Sequence, residues 1–156
     1  MASAQASMKL FANAKIEMWD HDPGGTAAAV VTPDAGTTVR YVDMRDYNGF
    51  AVVAMATVLG GANMTLLEIV AADDAAGTNV TIVKTSGVLA ADAVGDFACE
   101  ECTAEEIAQL SEAAGYSLRY VAGRITCANA GDELVVTYIR HQPKFPASGL
   151  TADTIA

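Results

Sequence analysis

Phe50-Ala51-Val52-Val53-Ala54-Met55-Ala56 runs without a single polar side chain, with Gly49 before it and Gly60-Gly61 shortly after. Valine and phenylalanine favour a pleated chain, and an apolar run this short between glycines reads as a strand. A strand with one wet face alternates apolar and polar residues, because successive side chains point to opposite faces. Here both parities are apolar, which predicts a strand covered on both faces at the centre of the core. That reading makes the chain a layered β protein.

Working outward, Met8, Leu10, Ala12, Ala14, Ile16 and Met18 share one parity and Lys9, Asn13, Lys15 and Glu17 the other, the pattern of a half-buried strand. Asp20-His21-Asp22-Pro23-Gly24-Gly25 should end it in a loop. Further strands are expected over 27–32, 38–44, 49–58, 64–71 and 78–85, separated by turn clusters at 60–63 and 73–77. Thr103 with Glu106 forms a capping box ahead of Ile107, Leu110 and Ala114, which predicts a helix over 104–114 stopped by Gly115. Two strands, 117–127 and 133–141, follow as a hairpin around Ala128-Asn129-Ala130-Gly131-Asp132. Strands in succession without helical crossovers predict an antiparallel β-sandwich or partly open barrel with one short helix. The expected organisation is an N-terminal arm over 1–7, a single β domain over 8–141 and an extended C-terminal tail over 142–156.

The length of 156 residues suits one core. A net charge of −10, with scattered basic residues, would repel a polyphosphate backbone, so nucleic-acid binding is not expected. No apolar run is long enough for a membrane helix, and the start lacks the basic and apolar regions of a secretion signal. Neither membrane insertion nor secretion is expected.

Cys99-Glu100-Glu101-Cys102 has CxxC spacing, and Cys127 with His21 or His141 could complete a zinc site, but a second pair at ligand spacing is missing. Adjacent glutamates also disfavour the thiolates that redox pairs need. Ordinary thiols are the reading adopted, with a metal module or enzyme using Cys99, Cys102 and Cys127 as the alternative. Asp20-His21-Asp22 and Asp73-Asp74 read as solvated turns, and Gly24-Gly25 and Gly60-Gly61 lack the Lys-Ser or Lys-Thr of a phosphate cradle. With no GxSxG or HExxH motif, no catalytic, cofactor or metal residue is assigned, and the chain is expected not to be an enzyme.

Tyr41-Val42-Asp43-Met44-Arg45-Asp46-Tyr47, Phe50-Ala51-Val52-Val53, Leu67-Glu68-Ile69-Val70-Ala71, Asp74-Ala75-Ala76-Gly77-Thr78 and Gly115-Tyr116-Ser117-Leu118-Arg119-Tyr120-Val121 occur in this order. Together they resemble small structural proteins of tailed phages encoded among the head genes. The resemblance implies a virion protein made in the host cytoplasm. Its expected role is capsid decoration (cement) on the head exterior, with the major capsid protein and sister copies as partners. A tail-tube or head-completion protein is the alternative. Within the tail, Pro143, Phe145 and Pro146 offer an extended apolar anchor, and Arg140 and Lys144 offer positive charge. These five residues are the predicted interface.

Overall fold

Alternation of apolar side chains drives this chain into two antiparallel sheets. The computed structural model describes residues 13–23, 27–32, 38–60, 64–87, 89 and 93–144. The elements in order are β1 (Ala14–His21), β2 (Ala29–Val30), β3 (Val42–Asp43), β4 (Tyr47–Val58), β5 (Met64–Ala72), β6 (Thr81–Thr85), β7 (Phe97–Thr103), α1 (Ala104–Ala114), β8 (Tyr120–Cys127) and β9 (Glu133–Pro143). Sheet A has the order β1-β9-β4-β7; sheet B runs β2-β8-β5-β6, with β3 also paired to β8. The two sheets stay separate and stack as a β-sandwich, not a barrel.

The core lies between them. Phe50, Val52 and Ala54 of β4 and Leu134, Val136 and Tyr138 of β9 meet Leu67 and Ile69 of β5 and Val121 and Ile125 of β8, all essentially without exposure. Tyr138 is the pivot. Trp19 and Phe50 pack edge-on to its ring at 4.8 and 5.0 Å. Its hydroxyl accepts the Gly123 N–H of the opposite sheet at 2.6 Å. Residue 123 must be glycine there: a Cβ would stand 2.9 Å from Val52 Cγ2 and 3.3 Å from Tyr138 Cε1.

The helix forms as its caps dictate. Thr103 Oγ1 accepts the Glu106 N–H at 3.2 Å, Glu106 Oε2 accepts the Thr103 N–H at 2.8 Å, and Gly115 closes the end at φ 74°. α1 carries the chain from β7 of sheet A to β8 of sheet B, buries Ile107, and pairs Glu106 with Lys84 of β6.

Several expectations are corrected. Phe97–Thr103, expected to be no strand, is the edge strand β7; Glu100 and Glu101 hide its alternation. β1 continues through Asp20 and His21, where a loop was expected. The strands expected over 27–32 and 38–44 shrink to the two-residue β2 and β3, and β6 begins only at Thr81, after Asn79 turns at φ 54°. β9 runs on to Pro143, so Gln142 and Pro143 belong to the β domain; the missing proline N–H is tolerated at the strand's end. The arm over 1–7, and the tail beyond Lys144, lie outside the described residues.

Two further corrections concern faces. The charged parity of β1 points inward. Glu17, Trp19 and His21 stand opposite Tyr138, Val136 and Leu134, while Met18 is 61% exposed. At this open edge of the sandwich the cover of β1 is polar. His21 Nδ1 faces the backbone of Thr32, Glu17 pairs with Arg140 at 2.7 Å, and Arg40 lies 5.8 Å over the Trp19 ring. The second correction is to β4, expected to be covered on both faces. Val52, Ala54 and Ala56 are buried, but Ala51, Val53 and Met55 face away from the core and remain partly exposed.

Candidate interaction surface

Registers across sheet A set the composition of its outer face. One row reads Asp20, Val135, Met55, Phe97; the next Met18, Thr137, Val53, Cys99; the third Ile16, Ile139, Ala51, Glu101. Asp20 and Glu101 therefore mark opposite corners, and the ten positions between them carry no charge. Phe97 is 67% exposed and Met55 40%. Among the described residues nothing covers this face. Scattered apolar side chains on a surface are ordinary, but a contiguous patch of this kind marks an interaction site.

The fourth row closes the patch at one end. Ala14, His141, Gly49 and Thr103 are in register, and the imidazole of His141 lies over Gly49, where a Cβ would come within 2.2 Å of the ring. The lack of a side chain at 49 lets His141 lie flat and bring its Nε2 within 3.0 Å of Glu101. At the Phe97 end Val94 is 65% exposed and Val58 42%; Gly95 donates its N–H to the Ala56 carbonyl and holds this turn against β4.

The residues predicted from the sequence are placed differently. Arg140 is buried between the sheets: its guanidinium donates to the Asp43 carbonyl at 2.9 Å and to Glu17 at 2.7 Å, and lies 5.2 Å over the Tyr47 ring. Its charge is matched inside the chain, so Arg140 is corrected from a partner-facing cation to a brace between sheets. Pro143 is half-buried opposite Tyr47. Lys144 is exposed and donates its backbone N–H to the Asp46 carbonyl. Phe145 and Pro146 lie outside the described residues. The outer face of sheet A was missed because the parity of Ile16 and Met18 was read as buried.

Strand geometry holds the three cysteines apart. Residues three apart on a strand point to opposite faces, and Cys99 and Cys102 do so: Cys99 is exposed beside Val53, while Cys102 is buried opposite Phe50. Cys127 is buried on β8 in the other sheet. Burial pushes the thiols of Cys102 and Cys127 up to about 12, so neither is a thiolate at neutral pH. The same alternation separates Asp20, on the outer face, from His21, whose imidazole turns inward. Asp20, His21, Asp22, Thr57, Glu133 and Leu134 line a small pocket. Among the described residues no group of three or more His, Cys, Asp or Glu side chains is arranged to hold a metal.

Asp74 braces the turn between β5 and β6. Asp74 accepts the N–H groups of Ala76 and Thr78 and the hydroxyl of Thr78, and these bonds lower its carboxyl below the usual range. No helix among the described residues is long and apolar enough to cross a membrane.

No protein-family model matches the chain, and no curated protein does. Among solved structures it is similar to that of infectious bursal disease virus, Gt strain, at 12% identity and TM-score 0.35, and Gx strain, at 14% and 0.33. Each overlap covers 86% of this chain and 34% of the other, so the chain spans about a third of their length. Likeness at this level carries no inference about role.

Proposed function

We propose that this chain is a virion structural protein, a decoration (cement) subunit on the outside of a tailed-phage head, with no catalytic role. The observation that carries the assembly reading is the outer face of sheet A: a contiguous uncharged patch on a chain of net charge −10. An enzyme monomer gains nothing from keeping such a face wet, whereas an assembly subunit gains the free energy of burying it. The phage-head assignment comes from the sequence resemblance. Its segments fall on β3, β4, β5, the turn after β5 and the entry to β8, the strands that brace the two sheets.

Quantitative mass spectrometry of purified particles, followed by electron cryomicroscopy, tests this reading. A decoration subunit is expected at a copy number approaching that of the capsid protein, with density on the outer head surface. Absence from particles overturns the virion reading. A handful of copies per particle overturns decoration in favour of a completion or tail role.

A further inference from the structure

Resting on the assembly reading above, we infer that the outer face of sheet A docks a second copy of this chain, sheet on sheet. Charge selects the occupant. Two copies of a −10 chain repel, and with a Debye length of about 8 Å in physiological salt the repulsion is strongest where carboxylates are brought close. Among the described residues the neighbouring charges on this face stand at its ends, Asp20 and Glu133 at one and Glu101, already in contact with His141, at the other. Over the ten uncharged positions between these ends a second copy can approach without facing carboxylates. A basic partner would find nothing to pair with here and would be drawn to acidic turns such as Asp73-Asp74.

Shape agrees with this. Four strands spaced about 4.8 Å apart and about seven residues long project a face of roughly 450 Å². That is more than half of the ~800 Å² each partner contributes to a standard interface, and Val94 extends the patch beyond the Phe97 corner. A twofold pair presents the same face from both sides, and sheets that pack aligned at about −30° bury their apolar sides against each other.

Cys99 lies within the face and is exposed, whereas Cys102 and Cys127 are buried, so one thiol reports on occupancy. Light scattering of the full chain is expected to show the mass doubling as concentration rises. Reaction of Cys99 with a thiol reagent should then slow by about tenfold, as burial shields the sulfur. The double variant Met18→Glu with Phe97→Glu changes two side chains that are more than half exposed. It is expected to stay monomeric with an unchanged circular dichroism spectrum and a fast Cys99. Ile82→Glu, a change at a 47% exposed side chain on β6, is expected to leave the pair intact.

The inference is overturned if the wild type stays monomeric at all concentrations, or if Ile82→Glu breaks the pair and the double variant keeps it. A monomer whose Cys99 is always protected overturns it in favour of a segment of the same chain. A wild-type monomer whose double variant fails to attach to particles also overturns it, and leaves the assembly reading standing with another virion protein as occupant. A pair that forms through this face in a protein absent from particles sustains the inference while the virion reading falls.

Discussion

β4 and β5 are interior strands of their sheets, and their burial runs opposite to their sequences. β4 holds seven consecutive apolar residues, Phe50 to Ala56, yet Ala51, Val53 and Met55 are left partly exposed on its outer side. β5 carries Glu68 in mid-strand, yet both its faces are buried from Leu67 to Ala72. The difference lies in what surrounds each sheet. Over sheet B, the Tyr41 ring lies against Gly77, where a Cβ would be 2.7 Å away, and Glu68 receives Arg124 at 2.7 Å. Sheet A has no such cover among the described residues. An apolar parity states that a face needs a cover; it does not say whether the same chain supplies it.

Neighbouring valines give the sharpest break between the faces. Val52→Asp should abolish folding, because an unpaired charge in the core costs several kcal/mol against a total of about 5–15 kcal/mol. Val53→Asp, one residue on and on the outer face, should cost about 1 kcal/mol and leave a folded chain. Equal loss of the thermal transition in both would show that the outer face of sheet A is covered after all.

The polar cover of sheet B is tested by Arg124→Met, which strands the buried Glu68 carboxylate. A loss of about 2 kcal/mol in urea unfolding is expected, below the range for a fully buried pair because Arg124 is partly exposed. No change would mean that water solvates Glu68 and the face is open. Between the sheets, Tyr138→Phe removes the acceptor of the Gly123 N–H and should cost about 1–2 kcal/mol; Gly123→Ala should cost about 1–3 kcal/mol by overpacking against Val52. A variant at either position that melts with the wild type would remove Tyr138 as the pivot.

His21 makes the clasp of β1 sensitive to pH. Burial lowers its pKa below the ordinary 6.5, outweighing the raising effects of the Thr32 backbone and Asp22. The unfolded chain therefore takes up a proton that the folded one resists. Stability is complete above about pH 6.5 and falls as the pH drops through that value towards the folded pKa. The melting temperature should decline between about pH 7.5 and 5.5, with a shallower decline in His21→Gln; parallel curves would show that other groups set the slope. The smallest effect is expected at Cys99→Ser, within about 0.5 kcal/mol, with only Cys99 reacting rapidly in the native wild type.

The sequence alone determined the antiparallel β class, with sandwich and partly open barrel both left open, the helix with both its caps, and the central strands, because each rests on local signals: a capping box, a turn glycine, a run of valines. The net charge of −10 is likewise a property of the sequence alone. Tertiary structure decided which face of each strand is inside. The parity of β1 inverts because β1 lies at the open edge of the sandwich, where Glu17 and His21 find Arg140 and the Thr32 backbone across the gap, partners distant in sequence. It also decided that Arg140 is an internal brace and that Cys99 and Cys102 point apart, since a spacing of three residues joins side chains on a helix and separates them on a strand. Burial is a property of pairs of elements, and the pattern within one strand cannot name its partner.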